Sequence, residues 1–418
     1  MLKKLVLLVA VFALSFTFSV KDATSAEKEF RIGWLAAKTG WAAQIGKDMT
    51  NGFKMYLEQQ NYKFGPLKVK FIYEDNLAKP PVNVRKAMKL IKRDKVHLFS
   101  GGLLASTGYA LAPLAERTKV LYVSPIPAAD DLTQRKRYKN FVRLGFTSSQ
   151  NSHPQGQWAC EQGFKKVVTI AADYAFGYET VGGFQKTFEA CGGKIIKKLW
   201  PKIGTKDFAP YLAKFPKDLD AVFTLMVGGM SLSFPKQFRG AGFKAPMLGG
   251  ITSADEFILP NMGDEAIGYV TAGQYSAALD TKKNLAFVKE YQKRYGKMAS
   301  YYSESCYTTA LFIHKALEKI NYKYDRDKFK NAMRSLRVDA IRGPVYLDKY
   351  DNPVHNVYIR KVVRIPGDYK GLGVKPNSLW NKVIKTYPAI GQFYPDSAEK
   401  FLKQPVYSKN YPACKHCR

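Results

Sequence analysis

Two kinds of apolar spacing alternate along the chain. Residues 30–36 make an apolar strand, and Phe53, Tyr56 and Leu57 then recur at helical spacing. Residues 67–73 alternate like a strand with one buried face. Val84, Ala87, Leu90 and Ile91 form a helix stripe, and residues 96–99 a short strand ended by Ser100-Gly101-Gly102. Leu111, Leu114 and Ala115 follow on a helix, and residues 120–123 on a strand. Strand–helix alternation with short loops predicts a parallel sheet covered by helices.

The pattern then restarts. Residues 166–171, 194–199, 221–226, 246–249 and 268–271 read as strands. Between them Val181, Phe184 and Phe188, and then Phe234 and Phe238, mark helices. Two α/β units thus lie in tandem, with the seam near 143–150. Leu285, Val288 and Tyr291, and then Ile313, Ala316, Leu317 and Ile320, mark two further helices. Short strands follow at 345–347 and 357–362. The last 50 or so residues are rich in Tyr, Pro and Lys without clear periodicity, as in a surface strap or a partly ordered tail. Two α/β lobes imply a cleft between them. Ligands in such sheets bind beyond the carboxyl ends of the strands, and domain interfaces favour pockets.

The length of 418 residues fits two or three domains, and 46% apolar with 24% charged residues excludes wholesale disorder. Residues 1–26 read as a secretory signal peptide. Lys3 and Lys4 precede an uncharged apolar run at residues 5–20, and Thr24-Ser25-Ala26 supplies a small-residue cleavage site before Glu27. The run is short for a membrane span, and no Cys near the cleavage point offers a lipid anchor. The expected product is periplasmic and monomeric. The chain carries 66 Lys+Arg against 34 Asp+Glu, +32, and loses little of that with the leader. The surplus is dispersed; its densest run is Arg135, Lys136, Arg137 and Lys139. A secreted polyanion binder, the rival from another class, predicts a focused patch and steep salt dependence.

Enzyme signatures are missing: there is no G-x-S-x-G, H-E-x-x-H or G-x-x-x-x-G-K-[ST], and the five His are isolated. The expectation is a binder with no catalytic residues, no metal and no cofactor. The turn Gly101-Gly102-Leu103-Leu104-Ala105-Ser106-Thr107-Gly108 lies between a strand and a helix. It presents backbone N–H groups, with the Ser106 and Thr107 hydroxyls at capping positions, and so favours an anion.

Several segments together resemble the type I periplasmic solute-binding proteins of ABC importers, in the branched-chain amino acid-binding group. They are Thr39-Gly40-Trp41-Ala42-Ala43-Gln44-Ile45-Gly46, Glu74-Asp75, residues 80–91, Asp94-Lys95-Val96, Ser124-Pro125, Asp131-Leu132-Thr133, Tyr174-Ala175-Phe176-Gly177 and Lys206-Asp207-Phe208-Ala209. The match runs over most of residues 30–365. The resemblance implies an α/β fold of two Rossmann-like lobes, joined by three crossings near 143–150, 268–278 and 343–356. The N-terminal lobe is expected at 27–145 plus 273–345, the C-terminal lobe at 146–272 plus 346–365, and an extension at 366–418.

By position, the family's carboxylate site falls on Ala105, Ser106 and residues 126–128, beside Thr107. An aromatic at Phe176 covers the ligand, and residues 249–252, with Thr252, face it. Trp41, Met226, Val227, Tyr301 and Tyr302 are further candidate walls. Two departures redirect the ligand. The family's carboxylate-binding Thr aligns with Ala128, and its ammonium-binding acid aligns near Ile251. A buried ammonium without a counter-charge costs several kcal/mol. Unless Asp130 or Glu304 turns inward, a zwitterionic branched-chain amino acid is disfavoured. Trp41 and Phe176 suit a flat or apolar body, so the expected ligand is a small carboxylate, with aromatic acids among the candidates. The implied partner is an ABC permease; a chemosensory receptor is the alternative, and no nucleic acid is expected. Cys160 and Cys191 flank one strand and are candidates to pair. Cys414 and Cys417 form a C-x-x-C too poor in ligands for zinc, and suit a local disulfide in an oxidising compartment.

Overall fold

The computed structural model describes residues 28–417. The expected leader and its cleavage point lie outside the described residues. The first layer runs β1 (Glu29–Ala36), α1 (Ala43–Gln59), β2 (Lys63–Phe64), β3 (Leu67–Asp75), α2 (Pro80–Lys92), β4 (Leu98–Gly101), α3 (Ala105–Thr118), β5 (Leu121–Ser124) and β6 (Phe141–Arg143). The second runs α4 (Ser152–Glu161), β7 (Lys166–Ala171), α5 (Ala175–Ala190), β8 (Lys194–Leu199), α6 (Ala209–Leu212), β9 (Ala221–Leu225), α7 (Met230–Gly240), β10 (Met247–Gly250) and β11 (Val270–Gly273). The rest is α8 (Lys282–Tyr295), α9 (Tyr301–Lys319), α10 (Arg326–Ser335), β12 (Arg337–Ala340), β13 (Gly343–Leu347), β14 (Pro353–Arg364), β15 (Leu379–Ile390) and α11 (Ala398–Leu402).

One sheet has the order β2-β3-β1-β4-β5-β6, parallel except for the β2–β3 hairpin. Strand order reverses at β1, whose neighbours are β3 and β4, so a crevice opens beyond the ends of β1 and β4. The other sheet has the order β12-β13-β14-β11-β10-β9-β7-β8, with β15 on β14. Its strands from β7 to β11 are parallel, and those from β12 to β15 are antiparallel. The sheets are therefore mixed rather than parallel throughout. Antiparallel neighbours need no crossover helix, and none separates β12, β13, β14 and β15.

After β11 the chain leaves the second sheet, and α8 and α9 pack on α1 beside the first. Gly52 permits the α1–α9 approach: a Cβ there would lie 2.0 Å from the Ser303 carbonyl oxygen. Ser300 caps α9 with a capping box through Ser303. These two contacts fix where Tyr301 and Tyr302 stand. Trp34 of β1 anchors the same layer: its ring centroid is 4.6 Å from that of Phe53, and its Nε1 donates to Thr50 Oγ1 at 3.0 Å.

The end of the chain departs from the irregular strap. Residues 379–390 are a strand along β14. Two register shifts, between His355 and Val357 and between Ile359 and Arg360, break the alternation that would have revealed it. Residues 391–413 then cross the molecule. Arg135 Nη2 donates to the Gln404 carbonyl at 2.6 Å, Lys186 pairs with Asp396 at 2.5 Å, and His153 Nε2 lies 3.2 Å from the Tyr407 hydroxyl. Among the described residues, no helix is long and apolar enough to cross a membrane.

Candidate functional site

A cavity of about 240 Å³ opens between the two sheets. From the first layer it takes Trp41 and Ile45 after β1, Leu103, Leu104 and Ala105 after β4, and Ile126 and Ala128 after β5. From the second it takes Tyr174 and Phe176 after β7, Ile203 after β8, Val227 and Gly228 after β9, and Thr252 after β10. Phe146, from the first crossing, and Tyr301 and Tyr302, at the start of α9, complete it. The lining therefore comes from the carboxyl ends of strands in both sheets, where open α/β sheets place ligands.

The chemistry of the lining is one-sided. No charged side chain is among these residues, and six are aromatic. Tyr301 and Tyr302 pack at a 33° tilt with centroids 4.0 Å apart, and Phe146 meets Tyr301 edge-on at 5.9 Å and Phe176 at 6.2 Å. Burial pushes the Tyr174, Tyr301 and Tyr302 hydroxyls well above their ordinary range, so all three are neutral donors at physiological pH. The Thr252 hydroxyl donates to the Met226 carbonyl at 2.8 Å, leaving only lone pairs for a ligand. At the mouth, Trp41 is 58% and Ile203 48% exposed, one from each layer.

Helix starts supply the complementary polarity. Leu104 is the N-cap of α3, with extended φ/ψ and no side-chain cap. The first intrahelical acceptor, the Leu104 carbonyl, receives the amides of Thr107 and Gly108 at 2.9 and 3.2 Å. The Ala105 and Ser106 amides lie in the first turn, ahead of any acceptor. Gly101 turns the chain into this loop at φ +99°, where a Cβ would meet the Leu35 carbonyl oxygen at 2.2 Å.

Of the residues expected to bind, Trp41, Ala105, Ala128, Phe176, Val227, Thr252 and Tyr302 line one cavity, together with Tyr301. Ser106 and Thr107 are not among the lining residues. The Ser106 side chain is exposed, while Thr107 is buried behind the helix start with its hydroxyl unpartnered. Helical rotation turns both away, so what α3 offers the cavity is backbone. Met226 is fully buried behind the wall. Neither acid that might receive an ammonium turns inward. Asp130 Oδ1 accepts the Ser149 amide at 3.1 Å, and Glu304 pairs with Arg342 at 3.0 Å with both side chains fully buried. Ile251 is buried, and its carbonyl accepts from Arg360 at 3.2 Å.

Sequence reasoning passed over Phe146 and Ile203 as wall residues. Ile203 carried a usable signal: an apolar residue between Lys202 and Gly204, in a polar loop that follows a strand. The structure joins Cys160 to Cys191, with Cα atoms 6.4 Å apart, and Cys414 to Cys417, with Cα atoms 5.4 Å apart. Among the described residues no His, Cys, Asp and Glu cluster could hold a metal.

The periplasmic binding protein profile matches residues 29–368. A Brucella melitensis protein described as Leu/Ile/Val-binding protein homolog 6 is 27% identical over 392 residues, covering 91% of this chain and 96% of its own. A solute-binding protein of an ABC transporter from Rhodopseudomonas palustris BisB5, solved with 3,4-dihydroxybenzoic acid, is 31% identical. It superposes with a TM-score of 0.80, covering 87% of this chain and 98% of its own. Another from R. palustris, solved with 4-hydroxybenzoate, is 28% identical with a TM-score of 0.80 over 88% and 99%. The chain thus belongs to the periplasmic binding protein family, whose members are solute-binding proteins of the ABC-transporter type.

Proposed function

We propose that this solute-binding protein captures small aromatic carboxylates and hands them to an ABC permease. The observation that carries the reading is the lining itself: six aromatic side chains, no charged one, and an uncapped helix start. An apolar ring fits this surface. A carboxylate fits the first-turn amides of α3 and the tyrosine hydroxyls, since partial positive charge gathers at a helix N-terminus. An α-ammonium has no acid to meet in the lining, so leucine and its kin would bury an unpaired charge. The volume of about 240 Å³ lies below the ~300–1,000 Å³ typical of drug-sized sites, which suits a single ring. The hydroxybenzoates bound by the two R. palustris proteins belong to that class.

In this reading, Ala105 contributes its backbone amide, and Ala128 contributes a short wall. Phe176, Tyr301 and Tyr302 clamp the ring, with Val227 and Thr252 at its edge and Trp41 over the mouth. The two sheets are the cores of two lobes, and since β12, β13 and β15 join the second sheet, that lobe reaches beyond the expected 346–365 on both sides. The lobes close because a ligand touching both favours the closed state. In the same reading the mature chain starts at Glu27 and acts as a monomer.

Thermal unfolding against benzoate, 4-hydroxybenzoate, 3,4-dihydroxybenzoate, benzamide and leucine tests the assignment. A ligand at 100 times its Kd adds about 2.7 kcal/mol. The expected result is a shift with the acids and none with leucine. A shift with leucine alone overturns the ligand class.

A further inference from the structure

A second concavity lies at the other end of the second layer. Lys166 and Lys194 are the first residues of β7 and β8, whereas the cavity residues Tyr174 and Ile203 follow the last residues of the same strands. Between those first residues and the C-terminal segment runs a groove of about 830 Å³. One wall is Lys194 and Lys197 of β8. The second is the turn that carries Lys214 and Asp218. The third is Lys415 and His416. Lys166 pairs with Asp218, the acid of the lining, at 2.5 Å. Lys194, Lys197, Lys214 and Lys415 make no ion pair among the described residues.

The third wall is built rather than frayed. The Cys414–Cys417 disulfide closes a loop around Lys415 and His416. Just before it, Gln185 Nε2 donates to the Ala413 carbonyl at 2.9 Å, and Lys198 Nζ to the Pro412 carbonyl at 2.5 Å. The chain thus fastens a cationic loop against lysines that repel it. Like charges lining one groove favour an anion between them.

We propose that this groove docks an extended acidic peptide segment of a partner protein, independently of the cleft. Charge complementarity carries the choice, and the shape narrows it. Lysine ammoniums are point charges that take carboxylates in any orientation. Ile196 and Pro216, both half-buried, give apolar side chains between the acids a surface to rest on. A planar bilayer would meet only the rim of a concave groove. Phe215, the phenyl ring of the lining, is only 7% exposed, so nucleic-acid bases find no stacking platform.

The test uses the full mature chain and a short fluorescein-labelled peptide of alternating Glu and Leu, read by anisotropy at low and at physiological salt. Lys194→Glu with Lys197→Glu should weaken binding roughly tenfold or more. Lys282→Glu with Lys289→Glu, the same charge change on α8, should leave it within about twofold. Cys414→Ser with Cys417→Ser should weaken binding with the melting temperature of the chain unchanged. A saturating cleft ligand should not compete. Equal losses in both lysine pairs would reduce the groove to diffuse surface charge. Competition by the cleft ligand would place the peptide in the cleft instead. Groove-dependent binding of oligothymidylate or phosphatidylglycerol vesicles tighter than that of the peptide would overturn the choice of occupant.

Discussion

Asp130 and Glu179 form a buried acidic contact between the two layers. The Asp130 amide donates to Glu179 Oε2 at 3.2 Å, from a segment beside the first sheet to a helix beside the second. Arg143 is buried nearby, Asp131 adjoins in sequence, and the Tyr109 hydroxyl lies 3.5 Å from Glu179 Oε1. Burial pushes Asp130 up to about 6 and, with the charge of Asp130, pushes Glu179 well above the carboxylate range. Both acids hold their protons more tightly folded than unfolded, where they titrate near about 4. For Asp130 that contribution to stability is complete below about pH 4 and is lost as pH rises through about 6; for Glu179 the loss likewise begins above about pH 4. Glu179→Gln should therefore gain melting temperature relative to the parent as pH rises over that window. Parallel pH profiles for the two would refute this coupling.

The same scale separates side chain from backbone at the α3 turn. Ser106→Ala should change ligand affinity little, because the hydroxyl lies outside the cavity lining. Ala105→Pro should cost about 1.5–3 kcal/mol of binding, the range for a hydrogen bond to a charged group. Proline suits the first helical position, and the extended φ/ψ of Leu104 suits the residue before it, so the helix itself should persist. Calorimetric titration of both variants with 4-hydroxybenzoate decides between them.

Among elements, those with unbroken periodicity were legible. The strands at Lys166–Ala171 and Lys194–Leu199 stand where their apolar runs begin and end. The 12-residue β15 was not legible, because its bulged pairing with β14 scrambles the two-residue period. The site divides in a similar way. Residues on turns after predicted strands, such as Trp41, Ala105 and Phe176, could be placed from order along the chain. Which face of a helix start looks inward could not, and that rotation keeps the Ser106 hydroxyl out of the cavity lining while Ala105 stays in it. Phe146 sits in a crossing whose path depends on how the layers meet, so no local pattern marks it. At this scale the Cys160–Cys191 bond ties the end of α4 to the end of α5 across 31 residues. Replacing both by Ser should lower stability by up to about 3–4 kcal/mol, the loop-closure value for that separation. Urea unfolding of the variant and the parent measures it.

For the whole molecule, the first and second crossings meet at one buried ion pair. Arg342, in the turn between β12 and β13, pairs with Glu304 of α9 and donates to the Leu144 carbonyl in the first crossing. Gln274, in the second crossing, donates to Ser305 at 3.3 Å, beside the same pair. Glu304→Leu leaves a buried guanidinium uncompensated and should cost about 3–5 kcal/mol. Adding Arg342→Met should restore much of that loss. A double variant no more stable than the single one would mean that packing, not pairing, holds the junction.

Trp41 gives the protein an optical gauge of its own. Trp34, Trp158 and Trp380 are buried at 0%, 7% and 3% exposure and Trp200 is half-buried against Tyr178, while Trp41 stands 58% exposed at the opening. An indole that loses water when the opening closes emits at shorter wavelength, against the emission of the four other indoles, which lie outside the cavity lining. Occupancy should therefore be readable as a blue shift in emission, without labels. Trp41→Phe should silence that shift while the protein still takes up its ligand.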